Sequence, residues 1–75
     1  MNHSFVLRMA EQFASRLKSE AGDSAEAQVR AAYRHLYGRT PDRDEVSLSV
    51  DFVKRRGLPA FCRAMWNSSE FLFVD

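Results

Sequence analysis

The sequence predicts an all-α fold, a small and mainly antiparallel bundle of four helices with a short apolar C-terminal tail. Apolar residues recur at intervals of three or four through most of the chain, which is the period of an amphipathic helix. The three glycines, Gly22, Gly38 and Gly57, stand where these periodic segments stop. With 75 residues, the chain forms one domain at most.

The first helix is expected over residues 5–21, with Asn2 or Ser4 as its N-terminal cap and Gly22 as its stop. Its large apolar residues recur every fourth position and are Phe5, Met9, Phe13 and Leu17. Smaller apolar residues, namely Val6, Ala10 and Ala14, widen that stripe. We expect this stripe to face the core.

The second helix is expected over residues 24–37, starting at Asp23 or Ser24. Asp23 and Glu26 are three positions apart, which is the spacing of a capping box. The predicted apolar face consists of Val29, Ala32, Tyr33 and Leu36. Gly38 should end this helix, because glycine adopts the left-handed backbone angles of a helix C-terminus at little cost.

The third helix is expected over residues 41–56. Thr40 can cap it with its hydroxyl, and Pro41 suits the first helical position, where a missing N–H costs nothing. The turn after Gly38 is so short that the second and third helices should be antiparallel neighbours. The valine-rich residues 46–53 could instead form a strand, but the Thr40-Pro41 cap favours a helix.

The fourth helix is expected over residues 59–67, after Gly57. Residues 68–72 could add a last helical turn, and the rest of the tail is expected to be extended and packed against the first helix. The predicted core comprises Phe5, Met9, Phe13, Leu17, Val29, Tyr33, Leu36, Val50, Val53, Phe61, Met65 and Phe71.

Composition excludes several classes of protein. The net charge is +1, from 11 basic and 10 acidic residues, which is not the footprint of a nucleic-acid-binding protein. Cys62 is the single cysteine, so an internal disulfide is excluded, and its apolar neighbours predict a buried thiol. No apolar run is long enough to span a membrane.

The sequence offers little for catalysis or metal binding. His3 and His35 have no further ligand at metal-binding spacing. Asp42, Asp44 and Glu45 lack the ligand order and central glycine of a calcium loop, and suit the start of a helix instead. No nucleophile is paired with a base by spacing. We therefore predict a protein that is not an enzyme and uses no metal or cofactor.

Two surfaces are candidate binding sites. Apolar side chains are dense near the end of the chain, and a docking surface for another protein is predicted at Trp66, Phe71, Leu72 and Phe73. Basic side chains that could contact phosphates are Arg39, Arg43, Lys54, Arg55 and Arg56. In that alternative, helices two and three would act as a small DNA-binding unit, although acidic residues on the third helix would repel DNA.

Two stretches resemble a known family. Residues 32–41 read Ala-Tyr-Arg-His-Leu-Tyr-Gly-Arg-Thr-Pro, and residues 67–75 read Asn-Ser-Ser-Glu-Phe-Leu-Phe-Val-Asp. Together with Asn-His-Ser-Phe-Val at residues 2–6, they resemble the C-terminal end of the DUF1553 family. These are large proteins of planctomycetes and related bacteria, which often carry a DUF1549 region and a cytochrome-c-like domain. Ser69 and Phe73 depart from the Asn and Tyr usual there.

The resemblance covers nearly the whole chain, but it carries no activity over to particular residues. It implies a packing or protein-interaction module at the end of a larger bacterial envelope or periplasmic protein. The partner would then be the rest of that parent protein or another protein, and the isolated chain would be a monomer or a weak homodimer. The Gly-Arg-Thr-Pro turn and Ser-Ser-Glu-Phe also resemble DUF4214, a helical domain of extracellular bacterial proteins.

Overall fold

The computed structural model describes residues 3–67, and the side chains of residues 4–67. It contains four helices: α1 (His3–Ala21), α2 (Ala25–Tyr37), α3 (Arg43–Arg56) and α4 (Leu58–Trp66). The predicted all-α bundle is confirmed, and the alternative strand over residues 46–53 is wrong, because those residues lie inside α3. The predicted last turn over residues 68–72 and the tail lie outside the described residues.

The four helices pack in a ring. α1 packs against α2 and α4, and α3 packs against the same two helices from the other side. α2 and α4 also contact each other across the centre, whereas α1 and α3 are diagonal. The core between them is built from residues of α1, α2 and α4, with Leu17, Val29 and Cys62 completely enclosed.

Gly38 ends α2, as the sequence predicts. Gly38 has φ 69° and ψ 24°, the left-handed conformation, and its N–H donates to the carbonyls of Tyr33 and Arg34 at 3.1 Å each.

The N-terminus of α2 is capped by Ser24, whose hydroxyl accepts from the Ala27 amide at 3.2 Å. Of the two predicted starts, Ser24 is therefore correct, and the Asp23 capping box is wrong.

The start of α3 corrects the prediction by two residues. Asp42, and not Thr40, is the N-cap: its carboxylate accepts from the Glu45 amide at 2.8 Å, while the Glu45 carboxylate accepts from the Asp42 amide at 2.9 Å. This reciprocal capping box needs a Glu or Gln side chain three residues after the cap. Thr40 has Arg43 at that position, so Asp42 is the better cap, and Pro41 lies buried just before the helix.

The predicted core is wrong in the first half of α1. Phe5 and Met9 are 43% and 38% exposed, whereas Ala10, Ala14 and Leu17 are buried. Alanine has little side chain to hold neighbouring helices apart, so Ala10 and Ala14 face the bundle together with Leu17, while Phe5 and Met9 lie at one edge.

The rest of the predicted core is partly confirmed. Leu17, Val29, Tyr33, Phe61 and Met65 are buried as expected. Four further predicted members pack against the core but stay partly exposed, namely Phe13, Leu36, Val50 and Val53. Phe71 lies outside the described residues. Within the described part of the chain, no helix is both long enough and apolar enough to cross a membrane.

Candidate functional site

A shallow apolar groove, here called the α3–α4 groove, runs along one side of the bundle. Its volume is about 270 Å³, and its lining includes Tyr37, Leu48, Phe52, Phe61, Ala64 and Met65. Three helices contribute: the end of α2, the middle of α3 and most of α4. Apolar and aromatic side chains make up most of this lining, as in sites that bind apolar side chains of a partner.

Leu48 is the most exposed large apolar residue among those described. Its exposure is 73%, against 43% for Phe5 and 38% for Met9. The inward face of α3 is set by Val46 and Ser49, which are both buried, so Leu48 projects outward beside the groove. An isolated exposed leucine needs no explanation, but this one adjoins a continuous apolar surface.

Phe52 and Phe61 form the part of the groove where α3 meets α4. Their ring centroids lie 6.2 Å apart with the planes tilted by 55°. Phe61 is buried, whereas Phe52 is only half-buried and lies one helical turn after Leu48. Leu48 and Phe52 are four residues apart, so they form a second apolar stripe on α3, next to its core-facing stripe.

The α2 side of the groove is held rigidly. The Tyr37 hydroxyl donates to the Met65 carbonyl at 3.1 Å, and the rings of Tyr33 and Tyr37 meet edge to face at 5.2 Å. The Arg39 guanidinium lies 5.3 Å from the centroid of the Tyr33 ring and 5.9 Å from that of Tyr37. These contacts fix the aromatic wall before any ligand arrives.

Arg39 is itself held by Glu45 in a two-pronged ion pair, with both N–O distances at 2.8 Å. This hydrogen bonding to Arg39, together with the Asp42 amide, lowers the pKa of Glu45 to about 2. The capping box of α3 and the aromatic wall of the groove are thus joined through one carboxylate.

Of the four predicted docking residues, the structure describes Trp66. Trp66 is half-buried and stacks on Phe13 of α1, with centroids 6.0 Å apart and planes within 22°. It therefore belongs to the α1–α4 contact and does not line the groove. Phe71, Leu72 and Phe73 lie outside the described residues. The sequence prediction missed the groove, although the Leu48–Phe52 spacing on α3 could have indicated it.

The predicted phosphate-binding residues are not brought together. Arg39 pairs with Glu45, and Arg55 pairs with Asp51 at 3.1 Å. The exposed Arg43 lies in the first turn of α3, whereas Lys54 and Arg56 lie in its last turn, and a helix of 14 residues is about 21 Å long.

Carboxylates also separate the two ends of α3. Asp44 and Asp51 are exposed between the basic residues, where they would oppose a phosphate backbone. The described part of α3 therefore presents mixed charge, and no continuous basic face lies along this helix.

A second, larger concavity of about 740 Å³ is lined by α1, the start of α2, the end of α3 and the start of α4. Its rim includes both acidic and basic residues, among them Glu11, Lys18, Asp23 and Lys54. Buried Gln28 closes part of the floor, and its amide already donates to the Gly22 carbonyl at 2.7 Å. Charges of both signs and a satisfied floor do not select a ligand class.

His35 takes part in a surface hydrogen bond with Glu20. Its Nε2 lies 2.7 Å from the Glu20 carboxylate, and its ring meets the edge of Phe13 at 5.8 Å. This hydrogen bond, with one from Arg16, lowers the pKa of Glu20. In the described part of the chain, no three metal-ligating side chains come together.

Cys62 is buried in the core, with no exposed surface. Burial raises the pKa of its thiol to about 12, so the residue is protonated at neutral pH. A protonated, enclosed thiol suits packing and not nucleophilic chemistry.

No family model, curated protein or solved structure matches this chain. The resemblance to the DUF1553 family therefore stays a prediction, as does the second resemblance to DUF4214.

Proposed function

We propose that this chain is a non-enzymatic packing or protein-interaction module, whose α3–α4 groove receives an apolar segment. The observation that carries the proposal is the 73% exposure of Leu48 beside a groove lined by Tyr37, Phe52, Phe61 and Met65. Covering apolar area stabilises a complex by roughly 25 cal/mol per Å² before the costs of association. An aromatic- or aliphatic-rich segment is the ligand class that gains from this surface.

The rigid wall of the groove supports the same function. The Tyr37 hydroxyl is hydrogen-bonded to the Met65 carbonyl of α4. The Arg39 guanidinium lies over the rings of Tyr33 and Tyr37. A binding surface that is ordered before its ligand arrives loses less conformational entropy on binding. The groove is thus suited to receive a segment without rearranging.

The DUF1553-like sequence features support a setting for the module. In that setting it is the C-terminal part of a larger bacterial envelope protein, and its partner is the rest of that protein or another protein. DNA binding, the alternative, draws no support from the described residues, because the basic side chains lie at opposite ends of α3 or in ion pairs.

The proposal is tested by selecting binders from a random-peptide display library on the full chain. We expect selected peptides to be rich in aromatic and aliphatic residues. Calorimetry should then show at least about tenfold weaker binding to Leu48→Asp, which corresponds to about 1.4 kcal/mol.

Ser47→Asp is the matched control for this experiment. It adds the same charge at the neighbouring exposed position of α3, where Ser47 borders a different concavity. Binding to Ser47→Asp should change less than about twofold. Equal losses in both variants, or a failure to select apolar peptides, would contradict the proposal. Circular dichroism of each variant establishes that the helices are retained.

A further inference from the structure

The chain itself contains an apolar segment directly after α4, the helix that supplies Phe61, Ala64 and Met65 to the α3–α4 groove. Residues 68–75 follow Asn67 directly and read Ser-Ser-Glu-Phe-Leu-Phe-Val-Asp, with four consecutive apolar residues. We infer that residues 68–75 occupy the α3–α4 groove of the same molecule. The inference rests on the proposed function, in that it names the apolar segment that the groove receives.

The segment follows α4 directly in the chain and is long enough to reach along the groove. Ala64 and Met65, in the last two turns of α4, line one end of the groove. The nine-residue α4 is about 13 Å long, whereas eight extended residues span up to about 26 Å. A segment that folds back after Asn67 can therefore lie along the whole groove.

The chemistry of the segment matches the groove more closely than it matches α1. Near the start of α1, a smaller concavity is lined by Phe5 and Met9 together with the polar side chains of Arg8 and Gln12. The α3–α4 groove has Ser49 as its main polar interruption. Side chains alternate along an extended segment, so Phe71 and Phe73 can enter the groove together and meet mostly apolar side chains there. The inference therefore replaces the expected packing of the tail on α1.

The charges at the two ends of the proposed contact also favour it. α3 and α4 meet at Gly57, and the last turn of α3 places exposed Arg56 one turn beyond Phe52. A segment that runs from Asn67 toward Gly57 carries its final carboxylate, Asp75, toward this basic turn. A segment that runs from Asn67 in the opposite direction would carry Asp75 away from the basic last turn of α3.

Covalent attachment favours this segment over a second copy of the chain. A short tether gives an effective concentration in the millimolar range, so the intramolecular contact outcompetes the same contact between molecules at ordinary protein concentrations. A separate apolar segment must displace residues 68–75 before it can bind. The groove is then a docking site that its own chain occupies until a stronger ligand arrives.

The test is nuclear magnetic resonance on the full chain, in a 1:1 mixture of ¹³C-labelled and unlabelled protein. We expect nuclear Overhauser effects between the Leu48 methyl groups and the ring protons of Phe71 or Phe73, within labelled molecules. Contacts of these rings with Met9, contacts seen only between labelled and unlabelled molecules, or no contacts at all would each overturn the inference.

Two variants sharpen the result. Leu48→Asp should abolish the contacts of Phe71 and Phe73 with Phe52, whereas Ser47→Asp should retain them. If Leu48→Asp unfolds, the wild-type measurement still decides, because it needs no substitution. Loss of the tail contacts with retained Leu48-dependent peptide binding would overturn this inference and leave the proposed function standing.

A variant with Phe71→Ser and Phe73→Ser tests the consequence for binding. If residues 68–75 occupy the groove, this variant should bind the selected peptides at least about threefold more tightly than the wild type. Unchanged affinity would show that no displacement is required, and would overturn the inference.

Discussion

The hydroxyl of Tyr37 donates to the backbone carbonyl of Met65 at 3.1 Å, although the two residues are 28 positions apart in the chain. This bond joins the end of α2 to the last turns of α4, where helix carbonyls have no partner within the helix. It therefore ties together the two helices that meet across the centre of the bundle, beside the α3–α4 groove.

The first prediction concerns this bond. Tyr37→Phe should lower the free energy of unfolding by about 1 kcal/mol, the usual net contribution of one hydrogen bond, while keeping the ring in place. Urea denaturation followed by circular dichroism measures the change. A variant as stable as the wild type would mean that water satisfies the Met65 carbonyl equally well.

The second prediction separates the two candidate caps of α3. Asp42→Ala removes one half of the capping box with Glu45 and should cost about 1 kcal/mol of stability. Thr40→Ala is the matched control, because Thr40 lies outside the helix, and it should change stability by less than about 0.5 kcal/mol. Thermal melts of both variants measure the difference, and the opposite order of melting temperatures would refute the assignment of Asp42.

The third prediction is a pH dependence that arises from Glu45. Hydrogen bonds from Arg39 and the Asp42 amide lower its pKa to about 2 in the folded chain, from an ordinary value of 4.5. A depressed pKa contributes stability that is fully present above the unfolded value and is lost as the pH falls toward the folded value. The melting temperature should therefore decline between about pH 4.5 and pH 2.

Glu45→Gln should flatten this decline, because the variant has no carboxylate to protonate at that position. Asp44→Asn is the control, since Asp44 is exposed in the same helical turn and is not part of the capping box. Melts from pH 2 to pH 7 compare the three proteins. An equally steep decline in Glu45→Gln would assign the acid sensitivity to other carboxylates, including Glu20, whose pKa is also lowered.

The fourth prediction addresses the DNA-binding alternative. We expect micromolar protein to leave the anisotropy of a labelled duplex DNA probe unchanged in 50 mM salt, because the basic side chains of α3 are divided between its two ends. Fluorescence anisotropy measures the binding. Affinity that falls steeply with added salt, and falls further in Arg43→Ala or Arg56→Ala, would restore that alternative.

Local signals in the sequence predicted most of the fold. Helical periodicity and the position of Gly38 depend on residues within one or two turns of each other, so they can be read without the tertiary structure. The cap of α3 was misplaced because Thr40-Pro41 and Asp42 are both acceptable starts. The reciprocal bonds between Asp42 and Glu45 decide between them.

The candidate site was less accessible to sequence reasoning. The docking role of Trp66 stays a prediction, and the fold adds that its ring stacks on Phe13 of α1. Leu48 is one of the apolar residues of α3, yet it is 73% exposed. Which side of a helix is covered depends on where its neighbours pack, and periodicity alone does not report that.

The local sequence alone accounts for the helical character of the described residues, for their division into four helices, and for the places where the three glycines end or separate those helices. These features follow from backbone preferences and from the period of apolar residues, which are local properties. Only the tertiary structure decided that alanines and not Phe5 and Met9 of α1 face the core, and that Arg39 and Glu45 join the α3 cap to the tyrosines. It also decided that Leu48 borders an open groove, because exposure and long-range contacts depend on the packing of all four helices together.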